Sequence, residues 1–215
     1  MTVTIACVNA GNYQGRGVEY VSNLAAMIRR NVTVPYRFVC LTDDEDSSYL
    51  DDGIETINLP ERRMGWWAKL YLFVPGLFDN GVRVFYLDLD TLIIANIDDL
   101  ASYDGPFAGL GCFRAHRLFA SGFMAWPAGS VDHIWTDWIR QGRPMPGNAD
   151  DVWIDQVCPH AVRLQRKFSG IVSYKFHKCK DGPPKGARIV VFQRQPKPHN
   201  CGSEWVSRVW QSQPQ

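Results

Sequence analysis

The 215-residue chain contains no apolar run of 18 residues, so no membrane-spanning helix is expected. Its most apolar segment, Leu70 to Phe78, is half that length and is interrupted by Pro75 and Gly76. CxxC pairs are also missing. The six cysteines (Cys7, Cys40, Cys112, Cys158, Cys179, Cys201) stand singly, several inside apolar runs, which excludes a zinc ribbon or thioredoxin-type motif and reads as reduced core thiols. Cys158-Pro-His160, His177-Lys-Cys179 and His199-Asn-Cys201 fit no zinc-ligand spacing. Internal repeats and low-complexity tracts are absent, so a solenoid is excluded. Met1 to Cys7 runs into a strand pattern without a basic region or cleavage site, so no secretory signal is expected, and the expectation is a reduced, cytoplasmic protein.

What is present is globular in proportion: 46% hydrophobic and 21% charged residues. A chain of this length forms one domain, 1–215, and buries roughly 70% of its extended-state surface without a metal or disulfide staple. The net charge of +1 hides an asymmetry: residues 1–159 carry −8 and residues 160–215 carry +9. That distribution suits a protein that holds a cation in one part and a phosphate group in another, and equally a solvated basic face.

Hydrophobic periodicity predicts alternating strands and helices. Thr2–Val8, Arg37–Thr42 and Ile54–Leu59 read as strands, with an acidic loop over Asp43–Asp52. Val21, Leu24, Ala25 and Ile28 repeat at helical spacing. Gly65–Phe73 reads as a helix ending before Pro75. Val82–Leu87 reads as a strand buried on both faces, followed by strand candidates at Phe107–Phe113, Gly122–Trp126 and Ile189–Phe192. Ser130 is expected to cap a helix whose core face is Ile134, Trp135, Trp138 and Ile139, a second helix is expected over Asp151–Cys158, and the tail from Gln211 is expected to fray. This order implies an α/β fold with a mixed, mostly parallel sheet flanked by helices.

The most informative stretch is Val84-Phe-Tyr-Leu-Asp88-Leu-Asp90-Thr91. Two acidic residues interrupt an apolar strand where the chain should leave the sheet, and unpaired carboxylates there are costly to desolvate. One residue of separation lets both converge on one cation at the carboxyl edge of the strands, where α/β sheets bind ligands. A hard divalent ion, Mn²⁺ or Mg²⁺, matches an all-oxygen donor set. The simpler alternative is a turn with helix-capping aspartates.

The run Phe85-Tyr-Leu-Asp88-Leu-Asp90-Thr91-Leu, followed by Asn96-Ile-Asp98-Asp99-Leu100, resembles the DxD region of GT-A fold (Rossmann-like) glycosyltransferases, in particular the glycogenin and lipopolysaccharide-galactosyltransferase family with its small bacterial and phage relatives. Trp67-Ala-Lys69-Leu70, Ser121-Gly-Phe-Met124-Ala-Trp126, Asp150-Asp151-Val-Trp153 and Val191-Phe192-Gln193-Arg-Gln-Pro196-Lys197-Pro198 resemble further segments of that family, in order, along nearly the whole chain.

The resemblance implies metal-dependent transfer of a sugar from a nucleoside-diphosphate sugar, a UDP-sugar first among them, to an acceptor hydroxyl with retention of configuration. It implies Asp88 and Asp90 as metal ligands and Lys197 on the donor phosphate. Val8, Asn9, Lys69 and Leu89 are implied beside the donor, and Asp151, Asp150 and Lys69 in catalysis. Asp155-Gln156 offers a competing match for the acidic segment. The family's C-terminal histidine ligand is replaced by Gln193 and the next glycine by Arg194, so the third ligand is assigned to Gln193 or His199. Two alternatives stand beside this: a nucleotide-sugar-binding module with weakened catalysis, and a haloacid-dehalogenase-type phosphatase, whose motif would need its threonine four residues after Asp88 rather than three. The acceptor is open: glycan, protein, small molecule or modified DNA. Gly11, Gly15 and Gly17 read as loop geometry, and Trp66-Trp67 as helix-packing core ahead of an acceptor platform.

Overall fold

A computed structural model describes residues 2–44, 53–62 and 64–211. Most of the expected acidic loop and the end of the tail lie outside the described residues. A seven-stranded sheet forms the centre. Its strands are β1 (Val3–Asn9), β2 (Tyr36–Thr42), β3 (Ile54–Asn58), β4 (Arg83–Leu87), β6 (Ala108–Cys112), β7 (Ala115–Pro127) and β8 (Val162–Arg163), in the order β3-β2-β1-β4-β7-β6-β8. The β1–β2, β2–β3, β1–β4 and β6–β8 pairs are parallel, while β7 runs antiparallel to both neighbours. A second sheet of three short strands, β5 (Thr91–Ile93), β9 (Ile171–Ser173) and β10 (Ile189–Val191), has the order β5-β10-β9.

The alternation of side chains along each strand builds a core on both faces of the large sheet. Ile5, Cys7, Phe85 and Leu87 pack with Val21, Leu24 and Ile28 of α1 (Gly17–Asn31) and with the second sheet. Ala6, Val8, Val84 and Tyr86 pack on the opposite face with Gly65–Phe73, α3 (His133–Arg140) and α4 (Asp150–Val157). A strand buried on both faces must be apolar throughout, which is why β1 and β4 read so clearly. A short helix α2 (Asp98–Ala101) follows β5, and α5 (Glu204–Trp210) packs Trp210 against Tyr20 of α1 at 5.0 Å.

The expected helix over Gly65–Phe73 is present with those bounds, as a 3₁₀ run that buries seven consecutive residues, Trp67 to Phe73. Two expectations need correction. Ser130 does not cap α3: its hydroxyl donates to the Pro127 carbonyl at 2.6 Å, and the helix begins at His133. Ile139 is exposed, whereas Ile134 and Trp138 are fully buried. Gly11 and Gly15 have left-handed backbones that justify glycine. Gly17 does not; it opens α1 against Asn9, where a Cβ would lie 2.2 Å from Asn9 Oδ1.

Asp98 clamps the approach to β2 onto the start of α2. Its carboxylate accepts from the Thr33 amide at 2.7 Å, the Thr33 hydroxyl, the Val34 amide at 3.3 Å and Asn96 Nδ2 at 2.9 Å. Slight desolvation pulls its pKa up, but these donors outweigh it and hold the carboxyl at about 2, below the ordinary value of about 3.9. A lowered folded pKa contributes stability above the unfolded pKa that is lost as pH falls through the folded one. The stability advantage of wild type over Asp98→Asn is therefore expected to persist at pH 7 and to shrink between about pH 4 and pH 2. Urea midpoints measured across that range check this; a gap independent of pH contradicts it.

Candidate active site

Strand β4 lies in the middle of the large sheet and delivers Asp88 to its carboxyl edge. The Asp88 amide still donates to the Gly122 carbonyl of β7 at 2.8 Å, and the Thr91 amide closes a turn onto the Asp88 carbonyl at 3.0 Å. A Cβ at Gly122 would press on Leu110 at 3.2 Å and touch Asp88 Oδ2 only at ordinary contact, 3.7 Å. The chain then crosses to the second sheet, where Thr91 pairs with Val191. That register sets Asp90 beside the segment leaving β10, which carries Gln193, Arg194 and Lys197.

Each aspartate meets a lysine. Lys69 Nζ lies 2.9 Å from Asp88 Oδ1, 3.7 Å from Asp150 Oδ2 and 3.1 Å from the Ser121 hydroxyl. Burial alone would lower the Lys69 pKa, but Asp150 and then Asp88 raise it overall, so it stays an ammonium. The Tyr86 hydroxyl donates to Asp88 Oδ1 at 2.5 Å. Asp90 Oδ2 accepts from Lys197 Nζ and, at 2.9 Å, from the Tyr13 hydroxyl. Asp90 Oδ1 is buried and finds no hydrogen-bond partner among the described residues. Burial pushes the Asp90 carboxyl up in pKa, against the pull of Lys197. Burial likewise raises Asp150 and Asp151, with Lys69 opposing in both.

These groups line a cleft of about 1140 Å³ together with Val8, Leu89, Gln193 and the exposed Trp66 and Phe176. Asp150 and Asp151 open α4 and line the cleft. Asp155 does not; it pairs with Arg163 at 2.9 Å. Both members of the first pair also sit in the first turn of α4, so the favourable helix-terminus reading holds beside the site reading. Asn9 stands behind the cleft wall, accepting from the Tyr13 amide at 3.2 Å, and so shapes the loop rather than lining the cleft. His199, the other candidate third ligand, is not part of the cleft lining; it is half-buried, its Nδ1 meets the Tyr20 hydroxyl at 2.6 Å, and it packs beside Trp210. Trp66 and Trp67 also divide: Trp67 stacks on Trp138 in the core at 6.0 Å, while Trp66 is 62% exposed at the cleft. Tyr13 and Tyr86, both bonded to the aspartates, carry no sequence signal that marks them for the site.

Among the described residues no three His, Cys, Asp or Glu side chains gather into a metal-holding group, and all six cysteines are free. The oxygen-bearing side chains that line the cleft there include Asp88, Asp90 and Gln193. An orphaned, buried Asp90 Oδ1 beside that set fits a hard divalent ion, which would satisfy the oxygen that no described residue reaches.

No protein-family profile and no curated protein matches the sequence. Solved structures match its shape. The glycosyltransferase GlyE of Streptococcus pneumoniae TIGR4 superposes with a TM-score of 0.68 at 15% identity, over 93% of this chain and 56% of that one. The apo bifunctional glycosyltransferase WbbM gives 0.64 at 13% identity, over 93% and 47%. The galactosyltransferase LgtC, solved with donor and acceptor sugar analogs, gives 0.66 at 14% identity, over 99% and 98%. The chain thus spans about half the length of the first two and nearly all of the third. At the level of fold, the resemblance carried by the DxD segment is borne out: this chain has the GT-A architecture of these glycosyltransferases.

Proposed function

We propose that the cleft transfers a sugar from a nucleoside-diphosphate sugar to an acceptor hydroxyl. The observation that carries the reading is the pair Asp88 and Asp90 at the end of a buried strand, with a buried oxygen left without a partner among the described residues. A divalent ion held by Asp88, Asp90 and Gln193 would supply positive charge for the departing diphosphate. The chain's own groups do the rest. Lys197, set on the donor phosphate by the resemblance, would meet that diphosphate, and its ammonium is held by Asp90. Lys69 holds Asp88 and Asp150 in place. Tyr13 and Tyr86 orient the two DxD carboxylates through their hydroxyls. Asp151 faces the sugar and stabilises the positive charge that develops at its anomeric carbon.

In the retaining course of the reading, the acceptor oxygen bonds to the anomeric carbon on the face that the diphosphate leaves. The carbon–oxygen bond to the diphosphate breaks with its electron pair, and the departing oxygen takes the acceptor proton. The anomeric configuration of the product, read by proton NMR, tests this course. A panel of UDP-, GDP-, ADP- and CDP-sugars in thermal-shift measurements with Mn²⁺, Mg²⁺ or EDTA tests the donor. One donor is expected to raise the melting temperature by several degrees with the ion present and by less in EDTA. No shift with any donor in any ion overturns the reading. Replacement of a histidine ligand by Gln193 favours one second reading, a binding module with weak turnover, and donor hydrolysis separates the two. No helix among the described residues is long and apolar enough to cross a membrane.

A further inference from the structure

Around the two aspartates the charges do not suffice for a diphosphate. Asp88, Asp90, Asp150 and Asp151 line the cleft, and the ammonium groups paired with these acids are Lys69 and Lys197. One divalent ion neutralises this acidic cluster and leaves no net positive charge for a diphosphate, which stays anionic throughout the reaction. The missing charge stands on one wall of the same cleft. Arg114, Lys175 and Arg194 all line it, and their side chains make no hydrogen bond or ion pair with the described residues.

Three separate segments build this wall. Arg114 is on the turn between β6 and β7, whose Phe113 packs edge-on against His177 at 5.7 Å. His177 belongs to the loop after β9 that carries Lys175, and its Nδ1 accepts from the Ser173 amide at 3.0 Å. The Ser173 hydroxyl reaches Gln193 at 3.4 Å, next to Arg194. Arg194 is the nearest in sequence to the DxD-facing strand, since Val191 pairs with Thr91. Its backbone is left-handed, with φ 60°, a region that glycine enters without cost and an arginine does not. Arg143 shares that conformation (φ 59°), but its guanidinium is fixed by Glu61 at 2.6 Å and lies over Trp138. Among the described residues Arg194 has no such partner.

We propose that Arg194, flanked by Lys175 and Arg114, is a binding residue for the diphosphate and carries charge on it independently of any divalent ion. The proposal rests on the donor reading above and adds to it a specific set of residues. Guanidinium pairs two N–H donors with phosphate oxygens in fixed geometry, and so holds the group through bond cleavage as its charge grows.

Isothermal titration with UDP, GDP, CDP, ADP and inorganic pyrophosphate, each in EDTA and in Mn²⁺, provides the test. Wild type is expected to bind at least one of these in EDTA. Arg194→Ala is expected to weaken that binding by about tenfold and Arg194→Lys to restore part of it. Lys178→Ala is the control, because Lys178 has the same left-handed backbone (φ 52°) outside the cleft lining; its affinities should match wild type. Equal affinities for wild type and Arg194→Ala in EDTA overturn the proposal, as does wild-type binding that requires Mn²⁺ altogether. Absence of binding by wild type in both conditions instead sinks the donor reading on which it rests.

Discussion

Replacing Lys69 with methionine should lower the unfolding free energy by about 3–5 kcal/mol, the usual cost of removing one partner from a buried ion pair. Methionine keeps most of the side-chain volume, so the loss isolates the charge. Lys69 and Asp150 have side chains only 10% and 5% exposed, and without the ammonium the Asp150 carboxylate would have no counter-ion within the sheet edge. The consequence is pH-dependent. Burial already raises the folded pKa of Asp150, with Lys69 opposing, so removing Lys69 raises it further. A carboxyl whose folded pKa lies above its unfolded value is penalised at high pH and relieved below the unfolded value. The defect should therefore be largest at pH 8 and shrink toward pH 5. Urea denaturation at both pH values measures it. The double variant Lys69→Met/Asp150→Asn should recover more than half of the loss, and a single variant as stable as wild type at pH 8 would mean that the buried triad contributes nothing.

The parts of this arrangement differ in how plainly the sequence announces them, for physical reasons. Strands β1 and β4 are apolar on both faces because both faces are covered, and β4 carries the DxD to the one edge where charge is tolerated. Hence Asp88 and Asp90 stand out in an otherwise hydrophobic run. Of the second sheet only β10 was legible, as the expected strand Ile189–Phe192; β5 and β9 are three residues each, too short for periodicity to speak. Without that sheet the adjacency of Asp90 and the Gln193–Lys197 segment rests on resemblance alone. Lys69 was legible only as part of a motif, since a lysine amid Trp67, Leu70 and Phe73 gives no sign of which carboxylates it meets. Six residues separate His199 from Gln193, a spacing that says nothing about side, and only the structure shows its contact with Tyr20. Trp66 and Trp67 are identical in type, and only the 3₁₀ geometry, which buries one and exposes the other, tells them apart. Tyr13 sits in a glycine-containing loop whose path depends on Asn9 and Asp43, a tertiary matter.

Asp90→Asn should cut turnover by about 10²–10³ while costing the fold less than Lys69→Met does. Two effects act on stability with opposite signs. The change removes the ion pair with Lys197, but it also removes a buried anion whose Oδ1 has no partner among the described residues and whose charged form burial disfavours. An amide oxygen can still accept from the Tyr13 hydroxyl. The Lys197 ammonium, with its side chain only 12% exposed, loses its carboxylate, so the urea midpoint is expected to fall, by less than in Lys69→Met because a buried anion goes with it. Turnover has no such compensation. The carboxylate is needed both to fix Lys197 and to complete the oxygen donor set, and loss of charge stabilisation at a leaving group typically costs about 10²–10³ in rate. Donor hydrolysis should fall by that factor, and the Mn²⁺-dependent part of the donor thermal shift should disappear. Asp98→Asn, outside the cleft, is the control and should keep wild-type turnover. Stable protein with near-normal turnover in Asp90→Asn would remove the DxD aspartates from the chemistry, whereas unfolded protein would show that the carboxylate serves the fold.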